Sequence, residues 1–381
     1  MLLTYSPLPN FRHFLSMFAK PLSDKKLSQL WCGIKDKYRW YSCSAHSLFA
    51  IAAMRSRNTP AEKMVIWVPD FFCNSSLEPV RKLNTRIVFY PINTEFEPDF
   101  AWCNKNQTVD RPDIFLLVHY FGIPVKSAEA RDFCTNNNAW LVEDAAHCFL
   151  PVNGVGENGD FVFYSPHKQM AIMDGAILVI RESGQQKLAH SGIAETEIIF
   201  GTHGSTYPDN AGKLFMIIWV FKRILQVLDI RKKNKSYVFW PEVDMTGASF
   251  KHREMSKISK VFLKNQLNDL MEFAEQRKAN YRLWNDHLLT NYVKKSEKLD
   301  GDIIPYFAPF ELINENEISN IYKRLKQAGV PVTTWPDLPA EVVSDPTNHK
   351  NAIHLRKSRF YIHVHQSLNS KKIIKLCQQL A

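Results

Sequence analysis

Short apolar runs alternate with amphipathic stretches between residues 40 and 180 of the chain. The stretches at 45–54 and 127–136 place apolar side chains at helical spacing, which predicts helices. The continuous apolar runs have the length of buried strands, and they cover residues 64–70, 85–90, 114–119, 140–142, 161–164 and 176–180. Strands that alternate with helices are typical of a doubly wound sheet. The pattern therefore predicts an α/β fold with a mostly parallel sheet.

Outside this region the pattern predicts longer helices and a second, smaller group of strands. A polar helix is expected at 23–34, a long helix at 256–293, strands at 303–310 and 360–364, and further helices at 315–327 and 370–380. Gly329 stands where a helix C-cap is expected. We therefore predict a large domain over 36–250, and a small domain over 251–381 that residues 1–35 complete.

Composition is that of a globular protein, with 45% hydrophobic and 23% charged residues, and it does not indicate disorder. The seven cysteines are odd in number and contain no Cys-x-x-Cys pair. This pattern favours reduced thiols in a cytoplasm over a disulfide frame or a metal site. The first residues lack the continuous apolar segment of a signal peptide, so we expect a cytoplasmic protein.

The formal net charge of +10 would attract polyanions, but it does not select one. No helix-turn-helix, zinc-finger or RNA-binding signature accompanies the basic clusters, so we expect a solvated basic face and no specific nucleic-acid site. A nucleotide diphosphate substrate would also suit this charge. The apolar segment 213–235 is interrupted by Lys222 and Arg223 and is too short before them to span a bilayer. We expect an amphipathic helix that covers a dimer or domain surface, with contact to a membrane interface as the alternative.

Two side chains with complementary chemistry follow neighbouring predicted strands. Asp144 ends the run that begins at residue 140, and Lys168 follows the run 161–164. Because ligands bind beyond the carboxyl ends of the strands in open α/β sheets, both side chains are expected to face one pocket. Pyridoxal phosphate chemistry needs a lysine that holds the cofactor and an acid that keeps its pyridine nitrogen protonated. The pair therefore suggests pyridoxal 5′-phosphate as cofactor.

A phosphate site is predicted at the start of the helix 45–54. Ser42 to Ser44 form a serine-rich turn there, and Ala45 is the first residue of the predicted helix. Such a turn offers backbone N–H groups, a hydroxyl and the positive end of the helix dipole to a phosphate. A serine N-cap without a ligand is the alternative.

Several motifs resemble those of a known family. They are VEDAAH at 142–147, GDFVFY at 159–164, Lys168, DGA at 174–176, and VHYFGIP at 118–124. They resemble the sugar-nucleotide aminotransferases of the DegT/StrS type, within the fold-type I pyridoxal phosphate enzymes. The resemblance implies that fold, a pyridoxal phosphate cofactor and a homodimer.

The resemblance also implies roles for single residues. Cys43 and Ser44 stand where the family has the glycine and threonine of its phosphate turn. The family aromatic that stacks on the pyridine ring corresponds in strict register to Cys73, or to Phe72 if the loop is shifted by one residue; Phe72 as a core residue is the alternative. His147 is expected to hydrogen-bond or stack on the cofactor, with a purely structural role as the alternative. The position of Ser165, three residues before Lys168, predicts that its hydroxyl is added to the phosphate site.

A cross-subunit contact is implied by the segment 247–259, which resembles the family motif Gly-x-Asn-x-Arg-Met-Ser. Ser249 stands in place of the asparagine, and the basic residue is either Lys251 or Arg253. In the family these side chains reach into the neighbouring subunit's active site, so one of the two is expected to do so here.

The interpretation is a pyridoxal phosphate aminotransferase that moves an amino group from glutamate or glutamine to a keto sugar, nucleotide-linked, for polysaccharide or secondary-metabolite synthesis. Lys168 argues against the dehydratase branch of the family, where a histidine replaces the lysine. Two alternatives stay open. One is another pyridoxal phosphate enzyme, a lyase or a transaminase of a non-sugar ketone, and the other is a binding protein of the same fold without activity.

Overall fold

The computed structural model describes residues 3–10, 12–13, 22–57, 63–152, 154–192, 217–223, 225, 254–289, 291–294, 299 and 301–380. Seven strands form the larger sheet: β1 (Lys37–Tyr41), β2 (Met64–Pro69), β3 (Thr85–Tyr90), β4 (Ile114–Val118), β5 (Trp140–Ala145), β6 (Phe161–Tyr164) and β7 (Ala176–Ile180). Their spatial order is β1-β7-β6-β5-β4-β2-β3. The six predicted strands are all present, and the α/β fold prediction is confirmed.

The larger sheet is parallel from β6 to β3 and antiparallel at β7 and β1. Parallel neighbours need a crossover connection of about a dozen residues or more, usually with a helix. Residues 165–175 between β6 and β7 are shorter than that and hold only a four-residue helix, Pro166–Gln169. The chain therefore reverses direction here, and Lys168 lies in this reversal. β1 escaped prediction because its residues KYRWY are largely exposed or half-buried at the sheet edge.

Helices flank the larger sheet. They are Asp24–Ser28, Ser44–Ser56, Asn74–Arg81, Phe100–Asn106, Ala128–Asn137, the short Pro166–Gln169, and Glu182–His190. The polar helix predicted at 23–34 is present only as the short helix Asp24–Ser28. The predicted helix would place four apolar side chains on one face, but only two of them are buried. Leu27 and Trp31 are buried, whereas Leu30 is 38% exposed and Ile34 is fully exposed.

The smaller sheet consists of β8 (Val293–Lys294), β9 (Phe307–Leu312), β10 (Val332–Thr333) and β11 (Arg359–His363), antiparallel in the order β10-β11-β9-β8. The helices of this region are Ile318–Ala328, Ala340–Ser344, Lys350–Ser358 and Ser370–Leu380. Gly329 ends the first of them in the left-handed conformation (φ 88°), as predicted. The sequence pattern did not predict β8, β10 or the two helices at 340–358.

The long helix predicted at 256–293 is two helices, Lys257–Gln266 and Leu270–His287, joined by a 3₁₀ turn. At the break, the Gln266 side chain accepts a hydrogen bond from the Ala171 N–H (2.9 Å) and donates to the Ala171 carbonyl (3.2 Å). The first helix is thus tied to the loop that follows Lys168.

Packing divides the amino-terminal residues between two hydrophobic clusters. Leu3 packs in the cluster of the smaller sheet, whereas Leu27 and Trp31 pack with residues of β6 and β7. Residues 250 and 251 lie outside the described residues, so the predicted domain boundary stays a prediction. Across the described ranges, no helix combines the length and the apolar character that crossing a membrane requires.

Glu143 is fully buried and stabilises the connection that leads from β5 to β6, which we call the crossing. Its carboxylate accepts hydrogen bonds from His119 Nε2 (2.7 Å) and from the backbone N–H groups of Gly156 (2.7 Å), Asn158 and Gly159. Burial raises the pKa of Glu143, but these hydrogen bonds outweigh it and the net pKa lies below the usual range. Successive strand residues point to opposite sheet faces, so Glu143 fixes the crossing while Asp144 points the other way.

Glu143→Gln is expected to lower the free energy of unfolding by about 3 kcal/mol, because the new amide group faces buried N–H donors. Urea unfolding followed by circular dichroism measures this change. The matched control is Glu157→Gln, an exposed residue of the same crossing, which should stay within about 0.5 kcal/mol of wild type. Equal stability of the two variants would refute the role of Glu143.

Candidate active site

A cavity of about 380 Å³ lies between the carboxyl ends of the larger sheet and the smaller sheet. Of the side chains singled out from the sequence, Ser44, Ala45, Phe72, Asp144, His147 and Lys168 line it together. Ser165 is fully buried and does not belong to the lining, and the contact of its hydroxyl with the phosphate stays a prediction. Lys251 and Arg253 lie outside the described residues, as does most of the segment 213–235.

Lys168 and Asp144 line the same cavity and interact through their opposite charges. Asp144 is 9% exposed, and its Oδ1 accepts a hydrogen bond from the Ala146 N–H at 2.9 Å. Burial raises the pKa of Asp144, and the positive charge of Lys168 partly opposes that shift. Among the described residues, the Lys168 amine has no hydrogen-bond or ion-pair partner. The pair thus combines an available amine with a buried acid that a cationic ring nitrogen would stabilise in its charged form.

His147 lies against aromatic rings and is fixed by a backbone hydrogen bond. Its ring stacks on Tyr306 (4.6 Å between centroids) and on Phe121 (5.8 Å). The Phe121 N–H donates to His147 Nδ1 at 3.3 Å, so the proton of the neutral ring is assigned to Nε2. Burial, together with the charge of Lys168, lowers the pKa of His147 well below its usual value. A neutral ring with an Nε2–H donor is therefore expected near pH 7.

Two helices point their amino-terminal ends at the cavity, and small polar residues stand at these ends. Cys43 is the N-cap of the helix Ser44–Ser56, and Cys73 is the N-cap of the helix Asn74–Arg81. Ser75 and Ser76 of the second helix also line the cavity, and no sequence pattern predicts this. The positive dipole end of the 13-residue first helix and its Ser44 hydroxyl suit a phosphate group.

The loop register between Phe72 and Cys73 stays open, because the structure excludes neither residue from the cavity. Both line the cavity. Phe71, in contrast, is fully buried and stacks on Trp335 at 4.5 Å. Phe71 is thus a core residue, and stacking of Phe72 on the cofactor stays a prediction.

The wall contributed by the small sheet was not predicted. Its lining residues include Tyr306, Phe307, Thr333, Thr334, Trp335, Tyr361 and His363. Trp335 opens the proline-rich segment WPDLP at 335–339, but no local pattern marks it or the other aromatic residues as cavity residues. Aromatic rings and hydroxyl groups dominate this wall.

Two of the motifs that carry the family resemblance meet beside the cavity. Asp174 accepts hydrogen bonds from the Ser256 N–H (3.1 Å) and hydroxyl (2.8 Å). Gly175 has a φ of 142°, and a Cβ there would lie 2.7 Å from the Met255 side chain. The DGA segment and the Met-Ser pair are therefore packed directly against each other, beside the loop that carries Lys168.

Comparison with known proteins identifies the family. Residues 42–381 match the DegT/DnrJ/EryC1/StrS aminotransferase family. The chain belongs to this family. This membership confirms the resemblance drawn from the motifs and supports pyridoxal 5′-phosphate as the predicted cofactor of an aminotransferase. A search of curated protein sequences gives no match.

Solved structures share the fold at low sequence identity. The aminotransferase TlmJ from Streptoalloteichus hindustanus is 15% identical with a TM-score of 0.69, covering 100% of this chain and 97% of its own. Helicobacter pylori PseC, an aminotransferase involved in the biosynthesis of pseudoaminic acid, is 14% identical with a TM-score of 0.69 and coverage of 100% and 98%. The putative sugar aminotransferase Spr1654 from Streptococcus pneumoniae, in its PMP form, is 13% identical with a TM-score of 0.68 and coverage of 100% and 97%.

Stability is expected to fall as the pH drops from about 6.5 towards 4. His167 lines the cavity beside Lys168, its Nδ1 bonds the Gly175 carbonyl (2.9 Å), and burial lowers its pKa to about 4. Since an unfolded histidine has a pKa near 6.5, the unfolded chain binds a proton in this window that folded His167 does not. The stabilisation is complete above pH 6.5 and is lost as the pH falls through 4.

His167→Asn should flatten this pH dependence, because it removes one group that protonates only on unfolding. The free energy of unfolding in urea at pH 7, 6 and 5 gives the slope. His190→Asn, at an exposed histidine, is the control and should keep the wild-type slope. An unchanged slope in His167→Asn would contradict the assignment.

Proposed function

We propose that this aminotransferase moves an amino group from glutamate or glutamine to a nucleotide-linked keto sugar, for polysaccharide or secondary-metabolite synthesis, as a homodimer in the cytoplasm. One observation carries the proposal: the Lys168 amine and the Asp144 carboxylate face one cavity at the carboxyl ends of neighbouring strands. The described residues show no cluster of histidine, cysteine and acidic side chains that could hold a metal ion.

The lining residues fit pyridoxal phosphate by their chemistry. Ser44 and Ala45, at the start of their helix, would hold the phosphate, and Asp144 would hold the ring nitrogen in its protonated form. Lys168 would bind the cofactor through its amine. When bound, pyridoxal phosphate supplies an electron sink for negative charge at the α-carbon of the amino donor.

Each side chain then has a defined task. The Lys168 Nζ would take the proton from the donor α-carbon and deliver it to the cofactor, so it would act as general base and then as general acid. Asp144 is shielded from water by burial, and its carboxylate would stabilise the positive charge of the protonated ring nitrogen. His147 offers its Nε2–H as a hydrogen-bond donor, since its Nδ1 accepts from the Phe121 N–H.

The small-sheet wall supports a sugar as the acceptor. Tyr306, Trp335 and Tyr361 offer aromatic faces, and Thr333 and Thr334 offer hydroxyl groups, which together suit a ring that carries hydroxyls. Of the compared structures, Spr1654 is described as a putative sugar aminotransferase, and PseC as an aminotransferase involved in the biosynthesis of pseudoaminic acid. The homodimer rests on the family motif at 247–259, in which Lys251 or Arg253 would enter the partner's cavity.

Purified wild-type protein supplied with pyridoxal phosphate is expected to show the yellow absorbance band of a lysine-bound cofactor, and glutamate should discharge it. Lys168→Ala should lack this band because no other amine is placed to bind the cofactor within the described part of the cavity. Absorbance spectra before and after glutamate measure both effects. A panel of nucleotide-linked keto sugars should then contain a member that restores the band in the wild type. Restoration by keto acids alone would favour a non-sugar transaminase.

Asp144→Asn should retain the bound cofactor but lower the rate of amino transfer by at least about a hundredfold, because a neutral amide does not keep the ring nitrogen protonated. Stopped-flow absorbance after mixing with glutamate gives the rate. A rate within about twofold of wild type would remove Asp144 from its proposed role.

A further inference from the structure

Arg277 is a buried cation without an acidic partner. It lies on the helix Leu270–His287 and is 1% exposed. No carboxylate among the described residues is within ion-pair distance of it. Burial lowers the pKa of Arg277 to about 9, so the guanidinium remains charged near pH 7. Buried arginines are rare unless they are paired, because the loss of hydration is costly.

Three oxygen atoms from different parts of the chain surround the guanidinium. Its Nη2 donates to the Gln169 carbonyl (2.7 Å), its Nη1 to the Pro305 carbonyl (3.3 Å), and its Nε to the Gln366 side chain (3.0 Å). Gln366 itself donates to the same Gln169 carbonyl at 3.1 Å. The guanidinium stands over the Phe149 ring, 5.3 Å from its centroid. These contacts join the short helix of Lys168 to the segment that leads into β9.

Both carbonyls belong to immediate neighbours of cavity residues. Gln169 follows Lys168, and its side chain donates to the His147 carbonyl at 2.7 Å. Pro305 precedes Tyr306, whose ring stacks on the His147 ring. A single side chain is therefore hydrogen-bonded to the backbone beside Lys168, at Gln169, and beside Tyr306, at Pro305.

We propose that Arg277 is a positioning residue: its planar guanidinium sets the placement of the Lys168 amine relative to His147 and Tyr306. We call the hydrogen bonds from Arg277 to the Gln169 and Pro305 carbonyls the clasp. The catalytic consequence of the clasp rests on the proposed function, whereas the existence of the clasp does not. The shape of arginine is essential to it, since lysine is a point charge that cannot hold three acceptors in one plane. Small misplacements of reacting groups cost large factors in rate, which explains why a buried charge is kept here.

The first test uses the chain without cofactor and measures backbone amide exchange. In Arg277→Lys, the amides of Met170 and Tyr306 should exchange about tenfold faster, since their hydrogen bonds to Pro166 (2.8 Å) and Phe121 (2.7 Å) lie next to the clasp. The strand Ile114–Val118 reports on global stability and should keep its protection. The control is Arg282→Lys, an exposed arginine on the same helix, which should match wild type throughout. Uniform acceleration in all segments would show a merely structural residue and overturn the proposal.

The second test asks for the catalytic consequence. In the cofactor-loaded enzyme, Arg277→Lys should lower kcat for amino transfer about tenfold or more and change the KM for glutamate less than about twofold. Circular dichroism in the cofactor band, which reports the orientation of the bound ring, should fall as well. Unchanged kcat and unchanged dichroism would overturn the inference, while Arg282→Lys should leave both at the wild-type level.

A milder variant covers the case in which Arg277→Lys does not fold. Gln366→Met removes one acceptor from the guanidinium and should give the same local exchange pattern with a smaller amplitude; wild-type exchange in this variant would contradict the clasp. Failure of the proposed function is recognised separately. Wild type that binds no cofactor refutes the proposed function, whereas the exchange experiment on the cofactor-free chain still decides whether the clasp exists.

Discussion

The parallel pairing of β5 with β6 is the constraint on which the candidate active site depends. Asp144 pairs with Phe163 and Ala145 with Tyr164, so both strands end at the same level. The alternation of side chains along β5 sends the Glu143 carboxylate to the crossing, where it accepts backbone N–H groups, and leaves Asp144 for the cavity. The short reversal after β6 then brings Lys168 to the same edge. The register of β5 against β6 therefore determines the positions of the Asp144 carboxylate and of the loop that carries the Lys168 amine.

The second half of the site comes from contacts between the two sheets. The loop after β10 is tied to the helix Asn74–Arg81, because the Asn74 N–H donates to Asp337 (3.1 Å) and the Asn74 side chain donates to the Leu338 carbonyl (3.0 Å). A buried pair, His349 with Asp70 at 3.0 Å, adds a second link. These ties hold Trp335 against Phe71 and thereby define the wall opposite Lys168.

Local sequence signals explain how much was predictable. Six of the seven large-sheet strands were predicted as continuous apolar runs, and Asp144 and Lys168 lie within four residues after two of these runs, so both were found. β1 was missed because an edge strand with exposed residues lacks the apolar run, and the helix break at 267–269 was missed because the apolar spacing continues across it. Tyr306, Trp335 and Tyr361 reach the cavity only through tertiary packing. No local pattern distinguishes them from core aromatics.

The central claim is that Lys168 carries the cofactor, and reduction by borohydride tests it most directly. The wild-type protein is loaded with pyridoxal phosphate, reduced, digested and mapped by mass spectrometry. The account predicts one phosphopyridoxyl group per chain, on the peptide that contains Lys168. Modification of a different lysine, or an unmodified chain after loading with excess cofactor, would contradict it.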